Sequence, residues 1–429
     1  MTDIPLATIE FTTSGQVADD QQLADALALV TDSRATDVLI LSHGWNNDMA
    51  AARRLYDRIR TNLVSVVPRS SSSRLVVLGV LWPSVRWADD DQIAGGGVSV
   101  DDEELQLAAA IDAAVDDADI AAQLREAMSD LDTAEGRAHF VTSARSLLSG
   151  SGAAVTDDED GVPTTLVDSE PEEVFQAVRD AVLMEEESVA PAPPGADLPP
   201  GVAPDLLTDQ GTRGAGLFGM SWTSLARQVL NTFTYYTMKA RAGDVGTRGV
   251  APIIDRLNAM PTAPRVHLAG HSFGARVVAA AATAASSPIA SMTLLQGAFS
   301  HYGFTTNYAH TGNDGAFVSA LAGGQLQGPL VITHTHNDKA VGLAYAIASR
   351  LARQSGAGLG DRSDLYGGIG ANGSVGTDAT EATLLDRDGT YTFSPRQIHN
   401  LLADEYIQGH SDVTNPEVVN ALAQAMGVR

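Results

Sequence analysis

The sequence predicts an α/β fold in which a mostly parallel β-sheet carries helices on both faces. Residues 38–41 and 75–81 are continuous apolar runs, which is typical of parallel strands that are covered on both sides. Segments with apolar residues at helical spacing alternate with these runs: residues 19–30 precede the first run, and a segment with Leu55, Ile59 and Leu63 lies between the two. Strands that alternate with helices of this length indicate βαβ units and therefore a parallel sheet.

The same patterns assign the remaining elements in chain order. The predicted strands are residues 6–11, 38–41, 75–81, 266–269, 291–295, 330–333 and, as the last strand, 390–393. The predicted helices are residues 19–30, a segment around Leu55, Ile59 and Leu63, then 222–239, 249–260, 274–285 and 418–426. Residues 235–246 are expected to be a helix and turn that support the strand at 266–269.

One segment interrupts this pattern and carries most of the charge. Residues 86–220 contain 30 of the 53 acidic residues and 6 of the 27 basic ones, a net charge of −24, which leaves −2 for the rest of the chain. The segment has helical pieces such as 105–131, few strand signals and a proline-rich stretch at 191–204. We therefore expect one α/β domain of residues 1–85 and 221–429, with 86–220 inserted as an acidic, mainly helical unit.

Composition excludes several classes of function. A net charge of −26 argues against nucleic acid as a partner, because phosphate binding needs clustered lysine and arginine. The absence of cysteine excludes disulfides, thiolate metal sites and a cysteine nucleophile. The N-terminus lacks the basic and apolar regions of a signal peptide, and the longest small-apolar run, 277–285, is too short to span a membrane. A soluble cytoplasmic protein is the expectation, and the oligomeric state stays open.

The most informative motif is Gly-His-Ser-Phe-Gly at residues 270–274, which matches the G-x-S-x-G nucleophile elbow. That motif needs a sharp strand-to-helix turn, and only small residues two before and two after the serine leave room for it. A predicted strand ends at Ala269 and a predicted helix begins at Gly274, so the context fits. We predict that Ser272 is a nucleophile; an ordinary glycine-rich turn is the alternative.

A serine hydroxyl is a weak nucleophile, so it needs a base and an acid that orients the base. Asp338 follows the predicted strand 330–333 and is the preferred acid, whereas Asp314 lies in a Gly/Asn/Thr loop and is expected to be a turn residue. His410 follows a glycine in a loop before the last helix and is the preferred base. The rival base, His399, lies in a segment that looks helical or helix-adjacent.

Two backbone amides should stabilise the negative charge that develops on the substrate carbonyl. One is the amide of Phe273, directly after the nucleophile. The other is predicted to be the amide of Trp45, in the turn after the strand at 38–41. The candidate substrate-binding residues are His43 and Gly44 in this turn, His271 in the elbow, and His301 and Tyr302 after the strand at 291–295.

The chain resembles the α/β-hydrolase superfamily of serine hydrolases in the order of its motifs: the turn at His43 and Gly44, the elbow, Asp338 and His410. The resemblance covers residues 1–85 and 221–429. It implies an α/β-hydrolase fold, a Ser-Asp-His triad and cleavage of a carboxylic ester through an acyl-enzyme, with no cofactor. A thioesterase or amidase would use the same groups, and a non-catalytic scaffold of the same ancestry would keep the fold alone.

A zinc hydrolase is the weaker alternative. His334, His336 and Asp338 form H-x-H-x-D, which in a strand places all three side chains on one face. These are suitable zinc ligands. The metallo-β-lactamase-like pattern, however, has a histidine directly after the aspartate, and here Lys339 stands at that position. The expected role of the two histidines is polar lining beside the triad.

The acidic insertion leaves the predicted sheet where the strand at 75–81 ends. Carboxyl ends of strands in open α/β sheets face the ligand crevice, so the insertion is expected to form a cap over the serine. Its acidic tracts should then lie on the solvated outside and disfavour anionic substrates. Those tracts are residues 101–104, 157–160 and 185–187.

Overall fold

The computed structural model describes residues 4–45, 49–84, 100–151, 161–188, 221–338, 362 and 367–429. Eight strands form one sheet, and every neighbouring pair in it is parallel, which confirms the predicted parallel α/β architecture. The strands are β1 (Leu6–Glu10), β2 (Asp37–Ser42), β3 (Leu75–Leu81), β4 (Arg265–His271), β5 (Ser291–Leu295), β6 (Leu330–His334), β7 (Thr380–Thr383) and β8 (Ile398–Leu402). Their order across the sheet is β1-β3-β2-β4-β5-β6-β8-β7.

The helices in the described residues begin and end as follows. Before the insertion they are α1 (Asp20–Asp32), α2 (Met49–Val66) and α3 (Arg69–Ser72), and within it α4 (Val100–Ala114), α5 (Ala118–Met128), α6 (Ala134–Ser151), α7 (Thr164–Asp168) and α8 (Pro171–Ser188). After it come α9 (Trp222–Asp244), a π-helical turn (Val245–Val250), α10 (Ala251–Asn258), α11 (Phe273–Ala284), a 3₁₀ turn (Tyr308–His310), α12 (Val318–Ala322), α13 (Ile369–Asn372) and α14 (Pro416–Ala425).

Alternation along each strand divides the core between the two faces of the sheet. On β2, Val38 and Ile40 belong to the apolar cluster that contains α1 and α11, whereas Leu39 and Leu41 belong to the cluster that contains α2 and α14. Successive side chains of a strand point to opposite faces, so a strand covered on both sides favours apolar residues at consecutive positions. That is why the uninterrupted apolar runs predict these strands.

The chain connections open a crevice between β2 and β4. After β2 the chain passes to α2 on one face, and after β4 it passes to α11 on the other face. Two neighbouring strands whose helices leave in opposite directions mark the switch point of an open α/β sheet, where ligands bind beyond the carboxyl ends. The turns that follow Ser42 and His271 lie at this point.

The described part of residues 86–220 is mainly helical, and its buried side chains share one apolar core with α9. Leu107, Leu124, Phe140 and Phe175 are fully buried and belong to the same cluster as the α9 side chains. Helices α4, α6 and α8 pack against α9. The proline-rich stretch 191–204 and the tract 157–160 lie outside the described residues, as do the side chains of 185–187.

Residues 235–246 form the predicted helix and turn, but they pack against α11, the helix that follows the elbow, whereas the prediction named the strand at 266–269. A Cβ on Gly246 would come within 2.3 Å of the carbonyl oxygen of Val277, which lies on α11. The absence of a side chain therefore lets the π-helical turn pack directly against the α11 backbone. This contact helps to position α11.

The end of the sheet differs from the prediction. Residues 390–393 are not a strand; the rings of Tyr391 and Phe393 stack on each other with centroids 4.9 Å apart. The last strand along the chain is β8, which contains His399, so the prediction of helical structure around that histidine is wrong. Among the described helices, none is long and apolar enough to cross a membrane.

Candidate active site

Ser272 lies in a strained turn between β4 and α11. Its backbone angles are φ 56° and ψ −125°, a region that costs a non-glycine residue roughly 1–3 kcal/mol. A Cβ on Gly270 would lie 2.1 Å from the carbonyl oxygen of Gly274, and one on Gly274 would lie 2.3 Å from that of Ser42. Both glycines of the motif are therefore required by the close approach of three backbone segments.

A continuous hydrogen-bond chain joins Ser272, His410 and Asp338. The Nε2 atom of His410 lies 2.8 Å from Oγ of Ser272, and its Nδ1 atom lies 2.8 Å from Oδ2 of Asp338. Because a carboxylate only accepts, Nδ1 carries the hydrogen and Nε2 is left to accept the serine proton. The side chain of Asp338 is fully enclosed, while that of His410 is 21% exposed. The three residues selected from the sequence thus meet, although they are far apart along the chain.

The loop that bears the acid is tied to the loop that precedes the base. Asn337 donates from Nδ2 to the carbonyl oxygens of Asp404 and Ile407, at 3.1 and 2.9 Å. The Oδ1 atom of Asp404 in turn accepts from Oγ1 of Thr335 at 2.8 Å. Partial burial raises the pKa of Asp404, but hydrogen bonds from His336 and Thr335 outweigh it and lower the pKa overall. This network fixes the separation of Asp338 and His410.

The amide of Phe273 has a fixed direction. The carbonyl oxygen of Ser272, which shares its peptide unit, accepts hydrogen bonds from the amides of Ala275 at 3.0 Å and Ala298 at 3.1 Å. In a trans peptide the N–H points away from the carbonyl. The N–H of Phe273 is therefore turned away from these two donors, at the N-terminus of α11, where the helix dipole also favours negative charge.

The amide of Trp45 is fixed in the same way by His43. Nδ1 of His43 lies 2.9 Å from the carbonyl oxygen of Gly44, so it donates there, and Nε2 accepts from the amide of Trp82 at 3.3 Å. The imidazole also stacks on the Trp82 ring, with centroids 5.5 Å apart. Because the Gly44 carbonyl faces His43, the N–H of Trp45 in the same peptide unit points the other way.

Gly44 brings this turn against the nucleophile. A Cβ on Gly44 would lie 2.5 Å from Cβ and 3.1 Å from Oγ of Ser272. We expect Gly44→Ala to lower kcat/KM on an activated ester by about 10²-fold, because misplacing reacting groups by about 1 Å has effects of this size. Steady-state kinetics would measure the loss.

Gly243→Ala is the matched control for Gly44→Ala. Gly243 lies in α9, and a Cβ there would meet only the end of the Arg276 side chain, at 3.9 Å. This variant should keep wild-type kinetics, and helix propensity should make it slightly more stable. Wild-type kcat/KM in Gly44→Ala would contradict the proximity of this turn to the reacting atoms.

Three aromatic side chains connect the turn, the elbow and α9. The rings of Trp45, Tyr235 and Phe273 contact one another, with centroid distances from 5.2 to 6.3 Å. The insertion packs against the same helix α9. There the Trp222 ring lies edge-on to the Phe175 ring, with centroids 5.9 Å apart. The described helices of the insertion are therefore coupled to the site through α9. That the insertion covers the serine stays a prediction.

Several predicted substrate-binding residues are enclosed instead of lining an open surface. His43 and His301 are fully buried, and His271 is 4% exposed. His43 orients the Gly44 peptide, and the ring of His301 lies against Asn372 and Tyr302. These three histidines therefore have internal partners, and their contact with substrate stays a prediction.

The rivals of Asp338 and His410 lie elsewhere. Asp314 is an exposed turn residue whose Oδ1 accepts from the amide of Asn307 at 2.8 Å. His399 lies within β8, where its Nε2 accepts from the amide of Ser394 at 3.0 Å. Neither of these contacts involves Ser272.

The H-x-H-x-D residues do not converge on one point. The strand ends at His334, His336 pairs with Asp404 at 2.8 Å, and Asp338 pairs with His410. In the described part of the chain no group of three His, Asp or Glu side chains is arranged to hold a metal ion. His334 and His336 instead line a cavity of about 420 Å³ together with Arg362 and Glu381.

A second Ser-His-Asp hydrogen-bond chain, which the sequence patterns missed, lies at the amino ends of the strands, opposite the end that carries Ser272. Nε2 of His267 is 3.1 Å from Oδ1 of Asp37, and its Nδ1 is 2.8 Å from Oγ of Ser291. The exposures are 0% for Ser291, 1% for His267 and 5% for Asp37. Ser291 and Asp37 are the first residues of β5 and β2, and His267 is the third residue of β4, so the network lies at the amino ends of these strands. Its hydrogen bonds tie β2, β4 and β5 together at the end of the sheet away from Ser272.

Buried histidines make the protein sensitive to acid. Burial lowers the pKa of His43 and of His334 to about 4, and that of His271 to about 3. The unfolded chain, with histidine pKa values near 6.5, binds more protons, so the free energy of unfolding should fall as pH drops from about 6.5 towards 4. Each histidine contributes up to roughly 1.4 kcal/mol per pH unit in this window.

Denaturant unfolding between pH 7 and pH 5 would test this acid dependence. His334→Gln keeps a neutral polar side chain and removes one titrating group, so its unfolding free energy should fall less steeply with acid than that of the wild type. Equal slopes for the two proteins would show that His334 does not bind a proton on unfolding.

No protein-family model matches the chain, and comparisons with curated proteins and with solved structures find no match to it either. The functional argument therefore depends on the geometry of the site.

Proposed function

We propose that the protein is a serine hydrolase of the α/β-hydrolase type that cleaves carboxylic esters through an acyl-enzyme. The observation that carries this proposal is the imidazole of His410, which lies 2.8 Å from both the Ser272 hydroxyl and the Asp338 carboxylate. The strained backbone of Ser272 supports it, because strain of this kind clusters at functional sites. The position of the serine at the switch point of the sheet supports it as well.

In the acylation half-reaction the Ser272 oxygen attacks the substrate carbonyl carbon while Nε2 of His410 takes the hydroxyl proton. Asp338 holds Nδ1–H and stabilises the imidazolium that forms. The tetrahedral oxyanion then collapses, the bond to the leaving group breaks, and His410 returns the proton to the departing alcohol. The product of this half-reaction is an ester between the acyl group and Ser272.

In deacylation the same groups act on water. His410 takes a proton from the water that attacks the acyl-enzyme carbonyl, and it then returns this proton to the Ser272 oxygen as the acid departs. In both halves the amides of Phe273 and Trp45 are the donors proposed for the oxyanion. Removing one such donor costs on the order of 10²–10³-fold in kcat in comparable sites.

Labelling with a fluorophosphonate would test the proposal, because the reagent forms a stable bond only with an activated serine. We expect one adduct per chain, and peptide mapping should locate it at Ser272. Labelling should be unaffected by a metal chelator. An unlabelled protein, or an adduct mapped to a different serine, would refute the mechanism.

The charge of the insertion gives an expectation for substrate preference. A net charge of −24 in residues 86–220 should repel anionic substrates at low salt, and the repulsion should fade as the Debye length falls to about 8 Å at physiological ionic strength. Neutral and anionic esters of equal acyl length would be compared across a salt series. Equal kcat/KM for both esters at low salt would contradict the idea that the insertion borders the site.

A further inference from the structure

His271 is buried and directly precedes the nucleophile Ser272. The proposed mechanism assigns no role to this histidine. It is the last residue of β4 and is 4% exposed. Its Nε2 atom lies 2.8 Å from the backbone carbonyl oxygen of His410. A carbonyl oxygen only accepts, so Nε2 of His271 carries the hydrogen. Nδ1 is then a bare acceptor, with no hydrogen-bond partner in the described part of the chain.

This bond anchors an otherwise exposed loop. Residues 408–412 form a loop within the connection between β8 and α14, and Gln408, Ser411 and Asp412 in this loop are exposed. Within the loop, the amide of Asp412 donates to the carbonyl of Gly409 at 3.1 Å, and the amide of Gln408 donates to the Asp412 carboxylate at 3.2 Å. These bonds fold the loop on itself. The bond from His271 instead holds the His410 carbonyl to the end of a central strand.

The two imidazoles also touch. Their ring centroids are 4.9 Å apart and their planes are inclined by 42°. The pKa of His271 is lowered to about 3, mainly by burial and also by the neighbouring His410, while the His410 carbonyl and Asp338 act in the opposite direction. His271 therefore stays neutral when His410 takes up a proton, and it remains a donor to the carbonyl throughout.

We propose that His271 is a positioning residue for the general base: its Nε2–H holds the backbone carbonyl of His410 and so fixes the reach of that imidazole to Ser272 and Asp338. The inference rests on the proposed hydrolase function and adds a specific role to one residue of the elbow. The position of the His410 imidazole matters because its two nitrogens must lie 2.8 Å from Ser272 and 2.8 Å from Asp338 at the same time. A displacement of about 1 Å costs roughly 10²-fold in rate.

Two substitutions at position 271 separate positioning from packing. His271→Leu fills similar space without a donor, and we expect kcat on a neutral activated ester to fall by about 10-fold to 100-fold with little change in KM. His271→Gln keeps a neutral N–H near the position of Nε2 and should restore kcat to within several-fold of wild type. Equal losses in the two folded variants, or wild-type kcat in the leucine variant, would overturn the proposal.

His267→Leu is the matched control. It removes another buried histidine of β4, near the amino end of the strand, where Asp37 and Ser291 are its partners. It should lower thermal stability at least as much as His271→Leu while leaving kcat of the folded protein unchanged. A kcat loss in this control as large as that in His271→Leu would mean that the effect at 271 reflects general damage to the strand.

Two measurements test the position of the base without relying on activity. Nitrogen NMR of the wild-type imidazoles should show His271 as the neutral Nε2–H tautomer; an Nδ1–H tautomer would overturn the proposal. A crystal structure of His271→Leu should show a longer separation between His410 Nε2 and Ser272 Oγ, and an unchanged separation would also overturn it. If the wild-type protein fails to react with fluorophosphonate, the hydrolase function fails, but these two readings still decide the contact.

Discussion

Ser272→Ala is expected to abolish turnover, with a loss of about 10⁵-fold to 10⁶-fold in kcat and no reaction with fluorophosphonate. In a triad that acts as one unit, losing the nucleophile removes nearly all the rate that the three residues supply together. The fold should survive, because Oγ of Ser272 does not cap α11. Alanine also carries no more backbone strain at these angles than serine does. Hydrolysis of an activated ester, measured beside circular dichroism, would establish both points.

Ser291→Ala is a demanding control for this experiment. Ser291 also belongs to a Ser-His-Asp hydrogen-bond chain, yet it is fully buried at the amino edge of the sheet. Losing its hydroxyl should lower the free energy of unfolding by roughly 1 kcal/mol, the usual net value of a buried hydrogen bond, and leave kcat unchanged. The mechanism fails if Ser272→Ala retains wild-type turnover, or if Ser291 proves to be the labelled serine.

The parts of the fold that the sequence predicts well are those with strong local causes. Residues 38–41 of β2 and all of β3 are apolar because both faces of these strands are covered. Gly270 and Gly274 are required by backbone contacts within a few residues or with one neighbouring strand. Such causes leave a short pattern in the sequence. The resulting prediction of a serine at a strand-to-helix turn matches the backbone of Ser272.

The end of the sheet is harder to predict because its causes are long-range. β8 has the sequence IHNLL, whose buried polar residues resemble no strand pattern, and β7 is an exposed edge strand. Asn400 is tolerated in β8 because its side chain bonds to both backbone groups of Ser374, 26 residues away. Residues 390–393 show the opposite error: their alternating aromatic side chains suggest a strand, but the rings pack on each other.

Support of the site is equally invisible to local patterns. His43 and His271 look like residues that touch substrate because they flank the oxyanion turn and the nucleophile. Their roles depend on distant partners, Trp82 for His43 and the His410 carbonyl for His271.

Asp338→Asn is expected to lower kcat on the order of 10⁴-fold while changing KM little. An asparagine in this enclosed position would turn its amide towards Nδ1 of His410 and donate to it. Nδ1 would then become an acceptor and Nε2 would carry the hydrogen, so the imidazole could no longer take the serine proton. The loss therefore follows from the tautomer and requires no change in the fold.

Asp314→Asn makes the same chemical change at the rival acid. Asp314 is exposed and accepts from the amide of Asn307, which an asparagine oxygen also permits, so kcat should stay within about twofold of wild type. Kinetics of both variants, together with nitrogen NMR of His410, would relate rate to tautomer. A large loss in Asp314→Asn combined with a mild one in Asp338→Asn would exchange the two assignments. Full activity in Asp338→Asn, with the His410 tautomer reversed, would show that the 2.8 Å contact between Asp338 and His410 does not orient the base for catalysis.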